Sequence, residues 1–335
     1  MTTVAVVGAT GAVGRTMLTI LAQRGFSADG LRLVASSRSA GQTLDTHLGP
    51  VEVEDLATMD PSGVDIALFS AGGARSKEHA PRFVDAGAVV IDNSSAFRMD
   101  RGVPLVVAGV NDRAAEGHDG IIANPNCTTM TLMMAAGPLH EAGGLRSMVA
   151  TSYQAVSGSG HQGISELLEQ QSRLGSDVHS LMMGGWDDPG PQVYERPIAF
   201  NVLPFAGNEV DGGYTDEEMK LVNESRKILD LPGLAVEPTC VRVPVLVGHG
   251  VAATLAFDRA MTADEAISIL GSASGVEVWK DRTPTPLDSV GIDDVLVGRV
   301  RETMSTPGGI NLWVVGDNLR KGAALNAVQI AELLF

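Results

Sequence analysis

The residue of this chain most suited to covalent chemistry is Cys127, in the segment ANPNCTTMT. Pro125 disfavours a helical conformation for the residue before it, so the apolar run that follows is predicted to begin a helix at or next to Cys127. The free N–H groups and the dipole of a helix start stabilise a thiolate, which predicts a nucleophile. The alternative, a buried structural cysteine, fits Cys240 better because that residue lies in the strand-like run 236–243.

A glycine-rich turn follows the first strand-like run. The segment TVAVVGATGAVG, residues 3–14, places Gly8, Gly11 and Gly14 between a strand and a helix-forming segment. Glycines at such a turn let a pyrophosphate approach backbone N–H groups and let the helix pack closely on the strand. The segment therefore predicts a dinucleotide site, against the alternative of a merely tight turn.

The end of the second strand indicates which dinucleotide is bound. An NAD site usually carries an acidic residue about 20 residues after the glycines, which binds the ribose hydroxyls. Here the strand ends in Ser36, Ser37, Arg38 and Ser39, with no acid. A guanidinium flanked by hydroxyls suits a 2′-phosphate, so NADP(H) is predicted; the alternative is a solvated loop arginine.

A nicotinamide cofactor and a nucleophilic cysteine together point to interconversion of an aldehyde and an acyl group. The acyl carbon is held on sulfur as a thioester, and a hydride passes between that carbon and the nicotinamide. A general acid/base must handle the proton on the aldehyde oxygen. Of the seven histidines, His249 in PVLVGHG and His161 in SGSGHQG lie in glycine-rich turns, and His249 is slightly preferred.

Alternating strands and helices must position these residues. A doubly wound, largely parallel sheet with helices on both faces is predicted from strand-like runs at 3–7, 31–35, 65–70, 88–92, 105–107 and 121–123 and helices at 12–24 and 74–86. A second, α+β domain is predicted from strands at 251–257 and 310–315 and helices at 163–174, 215–229 and 262–270.

The predicted domain boundaries are residues 1–126, together with a C-terminal helix at 318–335, for the Rossmann-like NADP-binding domain, and residues 127–317 for the catalytic domain. The residues Gly-Asp-Asn before the C-terminal helix are suited to capping it. The Gly/Pro-rich segment 184–192 is either a flap or a plain connection.

Composition sets the outer limits. The chain has 335 residues, 44% hydrophobic and 19% charged, as in a globular protein of about two domains. Its net charge of −16 disfavours binding to nucleic acid or anionic membranes. No apolar run approaches the ~18 residues of a membrane helix, and no basic segment at the start marks a signal peptide. Two cysteines make no disulfide framework, so we expect a cytoplasmic protein; no metal site is predicted.

Along its whole length the chain resembles the bacterial aspartate-semialdehyde dehydrogenase family, in the segments GATGAVG, SSRSAG, SSAFR, NPNCTT, YQAVSGSG, FNVLPF, DEEMK, VRVPVLVGHG and GDNLRKGAALNAVQIAE. The resemblance implies reduction of L-aspartyl-4-phosphate by NADPH to L-aspartate 4-semialdehyde, with release of phosphate. This reaction leads to lysine, diaminopimelate, threonine, methionine and isoleucine. The resemblance also implies a homodimer, in some members a tetramer, formed through the second domain.

The resemblance further implies roles for individual residues. The catalytic residues would be Cys127, His249 and Gln154. The substrate would be bound by Arg98, Asn126, Gln154, Glu217, Lys220 and Arg242. The dinucleotide would be bound by Gly8, Thr10, Gly11, Ala12, Val13, Ser36, Arg38, Ser39, Ser70, Ser157, Gly158 and Asn318. No role is implied for His161.

The charges of the implied substrate fit this set. A bidentate arginine, Arg242, suits the α-carboxylate, and Glu217 suits the α-amine. Two cations, Arg98 and Lys220, suit the phosphate. By spacing alone, a plain exposed ion pair between residues three apart on a helix is the favoured interpretation of Glu217 and Lys220, and the resemblance reverses this preference.

Two alternatives stay open at this point. An acyl-phosphate reductase of the N-acetyl-glutamyl-phosphate type shares the fold, the cysteine and NADP, but its acylated amine would not need Glu217. A non-catalytic paralogue would keep the fold as a binding or scaffolding protein. The presence together of Cys127, His249, Arg242 and Gln154 argues against a paralogue without activity.

Overall fold

In the computed structural model, which describes residues 2–334, two β-sheets organise the chain. The strands of the first sheet are β1 Thr3–Val7, β2 Gly30–Ala35, β3 Thr43–Thr46, β4 Gly49–Asp55, β5 Ile66–Phe69, β6 Val89–Asp92 and β7 Ile121–Ala123. Their order is β3-β4-β2-β1-β5-β6-β7, and neighbours pair in parallel except in the β3–β4 hairpin. The predicted doubly wound fold is confirmed.

Helices cover both faces of this sheet because its central strands are apolar on both sides. On one face α1, Ala12–Gln23, packs with Val4 and Val6 of β1; on the other, α2, Gly73–Asp85, packs with the alternate residues of the same strand. The chain runs from β1 to β2 on one side and later returns to β5 on the other. In open α/β sheets, the crevice outside the carboxyl ends of the strands at such a reversal binds ligands.

Two details of this sheet differ from the predictions. Residues 105–107 form no strand; Leu105 makes a single parallel bridge to Ala123, because the chain turns again directly after Val107. The sequence also gives no clear sign of the β3–β4 hairpin, which adds an antiparallel edge. β3 and the first residues of β4 alternate between exposed and half-buried positions, and Val53 is the one buried residue of the two strands, so the hairpin buries few side chains.

The second sheet is mixed. Its strands are β8 Leu145–Gln154, β9 Ala235–Arg242, β10 His249–Phe257, β11 Val276–Trp279, β12 Val295–Glu302 and β13 Ile310–Gly316, in the order β11-β12-β13-β10-β8-β9. The helices of this part of the chain are α3 Cys127–Gly143, α4 Gly160–Leu174, α5 Val178–Met182, α6 Asp216–Ile228 and α7 Ala263–Ser272. The predicted second, α+β domain is confirmed.

Helix α3 lies at the centre of the second core. It is apolar almost all round, and it packs with α6, α7 and one face of the second sheet. The opposite face of the sheet is less covered: Val149 and Tyr153 on β8 are 53% and 37% exposed. The first residue of α3 is Cys127, so the packing of α3 fixes the position of this thiol.

The C-terminal segment returns to the first sheet. Residues 318–334, predicted as one helix, form a π-helical turn at Arg320–Ala324 followed by α8 at Leu325–Leu334. The Asp317 carboxylate accepts two N–H groups at the start of this segment, at 2.8 and 3.2 Å, and so caps it as the Gly-Asp-Asn sequence predicts. Helix α8 packs in the same apolar cluster as β1 and α1. The domain boundaries drawn from the sequence stay a prediction.

Within residues 2–334, no helix has the length and apolar character needed to cross a membrane.

Candidate active site

A cleft of about 320 Å³ lies between the carboxyl edge of the first sheet and the second sheet. It brings together all the predicted catalytic and substrate-binding residues, namely Arg98, Asn126, Cys127, Gln154, Glu217, Lys220, Arg242 and His249. Five of the predicted cofactor residues also line it: Val13, Ser70, Ser157, Gly158 and Asn318. Residues far apart in the chain therefore form one site.

Cys127 begins α3, as the sequence predicts, and Asn126 is the N-cap. The Asn126 side-chain oxygen accepts the N–H groups of Thr128 and Thr129 at 2.9 and 3.4 Å. The Asn126 amide group donates to Glu217 Oε1 at 2.8 Å. The residue before the thiol is thus held from two sides, so the start of α3 has one defined position.

The expected thiolate is not the resting form of Cys127. Burial, with a smaller contribution from the Glu217 carboxylate, raises the pKa of Cys127 to about 11, although Arg242 and Arg98 lower it. The thiol is therefore protonated at neutral pH, because burial outweighs the favourable position at a helix start. Cys240 is fully buried in β9, and burial raises its pKa to about 12, which agrees with a structural role.

His249 begins β10 and is fully buried. Its Nδ1 accepts the N–H group of Ala155 at 3.0 Å, so the neutral ring carries its proton on Nε2. Nε2 is buried and has no hydrogen-bond partner among the described residues. Burial and the charge of Arg242 lower the pKa of His249 to about 3, so the ring is neutral at physiological pH. An N–H group is consequently directed at the cleft.

Arg242 ends β9 beside His249 and is also buried. One of its terminal nitrogens, Nη1, donates to the carbonyl oxygen of Ala155 at 2.8 Å, and the guanidinium lies 5.8 Å from the centre of the Tyr194 ring. Its Nε is buried without a partner among residues 2–334. A buried N–H donor of this kind is costly unless a ligand satisfies it.

Glu217 and Lys220 share a face of α6, and their side chains lie 3.0 Å apart at the cleft. Burial raises the pKa of Glu217, but the ion pair with Lys220 and the hydrogen bond from Asn126 outweigh this effect and hold the pKa below its usual value. Gln154, at the end of β8, donates to Thr128 Oγ1 at 2.8 Å and faces Glu217 at 3.4 Å. The pair is thus part of the cleft rather than an exposed ion pair.

The guanidinium of Arg98 makes three hydrogen bonds within the protein. It donates to the carbonyl oxygens of Asn124 and Asn93 at 2.9 and 2.7 Å, and to Glu224 Oε1 at 3.0 Å. Glu224, which is 1% exposed, was not among the residues predicted from the sequence. One signal was present, since Glu224 lies seven residues after Glu217 and so on the same face of one helix.

The glycine turn has the shape expected for a dinucleotide. Gly8 has a φ of +92°, and a Cβ there would lie 2.2 Å from the carbonyl oxygen of Ser70 at the end of β5. Gly11 is the N-cap of α1 without a side-chain acceptor, so the first N–H groups of that helix are free to meet an anion. Near this turn, the Thr10 hydroxyl donates to Ser39 Oγ at 3.4 Å.

The remaining predicted cofactor residues lie around this edge. Arg38 is exposed beyond β2, where its guanidinium makes no hydrogen bond or ion pair with another described residue. The Asn318 side-chain oxygen accepts the N–H of Gly248 at 2.8 Å, and its amide group donates to Ser157 Oγ at 2.9 Å. The C-terminal segment is therefore joined to the loops around the cleft.

A second residue that the sequence did not single out is Gly322, in the π-helical turn. A Cβ at Gly322 would lie 3.0 Å from Cβ of Cys127, closer than ordinary van der Waals contact, so a larger residue there would press on the residue that carries the thiol. By contrast, His161 is exposed at the start of α4 and does not line the cleft. The segment 184–192 forms no regular structure. No cluster of metal-ligating side chains occurs within residues 2–334.

Comparison with known proteins defines the class first. Residues 3–118 match the family model "semialdehyde dehydrogenase, NAD binding domain", and residues 137–321 match "semialdehyde dehydrogenase, dimerisation domain". The fold, the glycine turn and the cleft between the two sheets agree with this class of nicotinamide-dependent oxidoreductase.

Individual relatives narrow the class. The chain is 53% identical over 346 residues to aspartate-semialdehyde dehydrogenase of Corynebacterium glutamicum, covering 100% of this chain and 99% of the relative. It is 54% identical to the Streptomyces akiyoshiensis enzyme of that name, covering 99% and 98%. The solved structure of aspartate semialdehyde dehydrogenase II from Vibrio cholerae complexed with ASA superposes with a TM-score of 0.94 at 45% identity, covering 100% and 98%. The chain belongs to the aspartate-semialdehyde dehydrogenase family.

Proposed function

We propose that the chain reduces L-aspartyl-4-phosphate with NADPH to L-aspartate 4-semialdehyde and phosphate, through a thioester on Cys127. Family membership is the starting point. The observation that carries the proposal is the composition of the cleft, where a thiol lies among groups that match each charge of this substrate. This activity would supply amino-acid biosynthesis.

The charged ends of the substrate find complementary partners. Arg242, with its buried and unpartnered Nε, suits the α-carboxylate. Glu217 is held as a carboxylate by Lys220 and suits the α-amine. Lys220 and the remaining N–H donors of Arg98 suit the phosphate. These roles also favour this substrate over the N-acetylated one, since an acylated amine carries no positive charge for Glu217 to bind.

The first chemical step forms the thioester. The Cys127 sulfur attacks the acyl carbon, the bond from that carbon to the phosphate oxygen breaks, and the thiol proton leaves with the phosphate. This proton balance suits a thiol that is neutral at rest, with a pKa of about 11. Arg98, Lys220 and Arg242 offset the charge of the leaving phosphate and of the sulfur.

Both when the thioester forms and when it is reduced, His249 donates from Nε2 to the carbonyl oxygen of the substrate. Because Nδ1 is occupied by the N–H of Ala155, the neutral ring acts as a fixed donor that stabilises the developing oxyanion. It supplies the acid side of the predicted acid/base role. When the second tetrahedral species collapses, the aldehyde leaves and the Cys127 thiolate takes a proton from solvent.

When bound, NADPH supplies the hydride that reduces the thioester. The turn at Gly8 and the free N–H groups of α1 would hold its pyrophosphate, and Ser157 and Asn318, which line the cleft, would hold its nicotinamide. Arg38, Ser39 and neighbouring hydroxyls would hold the 2′-phosphate. This set supports NADP(H) over NAD(H), since no acid follows β2 to bind the free ribose hydroxyls.

We also propose a homodimer formed through the second sheet. The exposed Val149 and Tyr153 and the half-buried Trp313 lie on the face of this sheet opposite α3, which suits cover by a second copy of the chain. A cytoplasmic location is supported by the two free thiols, Cys127 and Cys240.

One assay separates the candidates. Purified protein is given L-aspartate 4-semialdehyde or N-acetyl-glutamate 5-semialdehyde, with NADP⁺ or NAD⁺, with and without phosphate. We expect phosphate-dependent reduction of NADP⁺ with the first substrate. Preference for the second substrate would support the N-acetyl-glutamyl-phosphate type of enzyme, and no reduction with either would support a protein without this activity.

A further inference from the structure

One buried carboxylate beside the cleft has no part in the proposed mechanism. We propose that Glu224, with Lys227 one helical turn further along α6, is a positioning residue that fixes Arg98 and the start of the Cys127 helix at the phosphate end of the substrate. The inference rests on the proposed function, because it takes Arg98 as a phosphate ligand.

Both carboxylate oxygens of Glu224 are used, and each goes to a different part of the site. Oε1 accepts from Nη1 of Arg98 at 3.0 Å, and Oε2 accepts the backbone N–H of Asn126 at 2.7 Å. Asn126 is the N-cap that directly precedes Cys127. One side chain therefore sets the distance between the phosphate-binding guanidinium and the nucleophile.

The other contacts of Arg98 leave two of its N–H groups for a ligand. Its Nε and Nη2 donate to the carbonyl oxygens of Asn124 and Asn93. A guanidinium has five N–H donors, so with Glu224 three are engaged and two remain. Since Arg98 also lines the cleft, Glu224 and the two carbonyl groups hold its guanidinium in one position there.

The side chain of Lys227 binds the backbone of the loop that carries Arg98. Its ammonium donates to the carbonyl oxygens of Arg98, Asp100 and Val103 at 2.7, 2.8 and 2.7 Å. Three donors thus meet three acceptors. Glu224 binds the side chain of Arg98 while Lys227 binds its main chain, so α6 fixes this residue from both ends.

A stability role alone does not explain the charge on Glu224. A buried ion pair is often no more stabilising than apolar residues of similar volume, because both charges lose their hydration. The same helix carries Glu217 and Lys220 into the cleft on its preceding turns. The groups proposed to bind the phosphate and the amine therefore either lie on α6, as Glu217 and Lys220 do, or are held by α6, as Arg98 is.

The substitution Glu224→Gln tests this role with little change in volume. The amide places an NH₂ group where a carboxylate oxygen had accepted, so either Arg98 or the N–H of Asn126 then faces another donor. Glu218→Gln is the matched control. Glu218 lies on the same helix, is also buried, and accepts the backbone N–H groups of Thr215 and Cys240 at 2.8 and 2.9 Å, away from the cleft.

Phosphate-dependent reduction of NADP⁺ with L-aspartate 4-semialdehyde gives the main readout. Losing a charge-assisted contact to Arg98 should raise the KM for phosphate of Glu224→Gln by about 10-fold or more, with an unchanged KM for NADP⁺. Glu218→Gln should keep the wild-type KM for phosphate, even where it lowers Tm. An unchanged phosphate KM in Glu224→Gln, or the same increase in Glu218→Gln, would overturn the inference.

A double-mutant cycle tests whether Glu224 acts through Arg98. In an Arg98→Lys background, Glu224→Gln should have little further effect on the KM for phosphate; an effect as large as in the wild-type background would contradict the inference. The rise in Tm on adding inorganic phosphate needs no turnover and should be reduced in Glu224→Gln but not in Glu218→Gln. If wild-type protein showed this thermal shift but no activity, the proposed function would be wrong. The role of Glu224 in phosphate binding could then still be tested by comparing the thermal shifts of the two variants.

Discussion

Replacing Arg242 by lysine tests the assignment of the substrate carboxylate. Lysine keeps the positive charge but has a single nitrogen in place of a planar fork. In the structure the guanidinium is anchored by Nη1, which donates to the carbonyl oxygen of Ala155 at 2.8 Å, while its buried Nε has no partner within residues 2–334. The proposed carboxylate would satisfy Nε and a terminal nitrogen together.

The size of the effect follows from those contacts. A lysine ammonium that still bonds to Ala155 or reaches the substrate loses at least one charge-assisted hydrogen bond, which is worth about 1.5–3 kcal/mol. This corresponds to about a 10- to 150-fold loss in kcat/KM. The loss should fall partly on kcat, since a carboxylate held at one point misplaces the acyl carbon relative to the Cys127 sulfur.

The assay is steady-state kinetics with L-aspartate 4-semialdehyde, together with direct titration of NADP⁺ binding. NADP⁺ affinity should not change, because Arg242 lies on β9 of the second sheet. Arg259→Lys is the control, since Arg259 lies in the same part of the chain but pairs with Glu265 at an exposed site. A kinetically silent Arg242→Lys, or one that weakens NADP⁺ binding instead, would refute the role of Arg242.

Four further predictions concern three other groups of the site. Cys127→Ala should abolish turnover and keep the fold, while Cys240→Ala should stay active, as rate assays and circular dichroism would check; substantial turnover by Cys127→Ala would exclude the thioester. Arg38→Ala should raise the KM for NADP⁺ by about 10- to 150-fold and change the KM for NAD⁺ far less, and equal effects would contradict a 2′-phosphate site. His249→Gln should retain more kcat than His249→Ala, because the amide N–H can still donate to the oxyanion; equal losses would favour a titrating acid/base. Because the pKa of His249 is lowered to about 3, the unfolded chain binds one more proton than the folded chain between about pH 3 and 6.5. The free energy of unfolding therefore falls as the pH decreases through that window. Urea unfolding of His249→Gln should show a weaker fall with pH than the wild-type protein.

Local signals in the sequence were sufficient for the elements that carry the glycine turn and the thiol. The run 3–7 becomes β1 with the same bounds, and α3 begins at Cys127. These elements are predictable because their apolar patterns, and the Gly, Pro and Asn residues at their ends, favour the same structure that the tertiary contacts stabilise. The histidine preferred from its glycine-rich turn, His249, lies in the cleft, and His161 does not.

What the sequence did not predict depends on contacts across the chain. Glu224 binds Arg98, 126 residues away in sequence. Its spacing from Glu217 places both on one helix face, but it does not indicate which residue Glu224 binds. The close approach of the π-helical turn at Gly322 to Cys127 also joins segments that are far apart in the chain. Likewise the pKa of Cys127 rises to about 11 through burial, whereas the residues next to it in sequence suggest a lowered value.

The most direct test of the central claim is to trap the acyl group on Cys127. Enzyme is mixed with L-aspartate 4-semialdehyde and NADP⁺ in the absence of phosphate, and peptides are analysed by mass spectrometry. We predict a burst of NADPH equal to the enzyme concentration and an aspartyl group on the peptide that contains Cys127, which added phosphate removes. Formation of NADPH with Cys127 unmodified, or an adduct that phosphate does not discharge, would contradict the account.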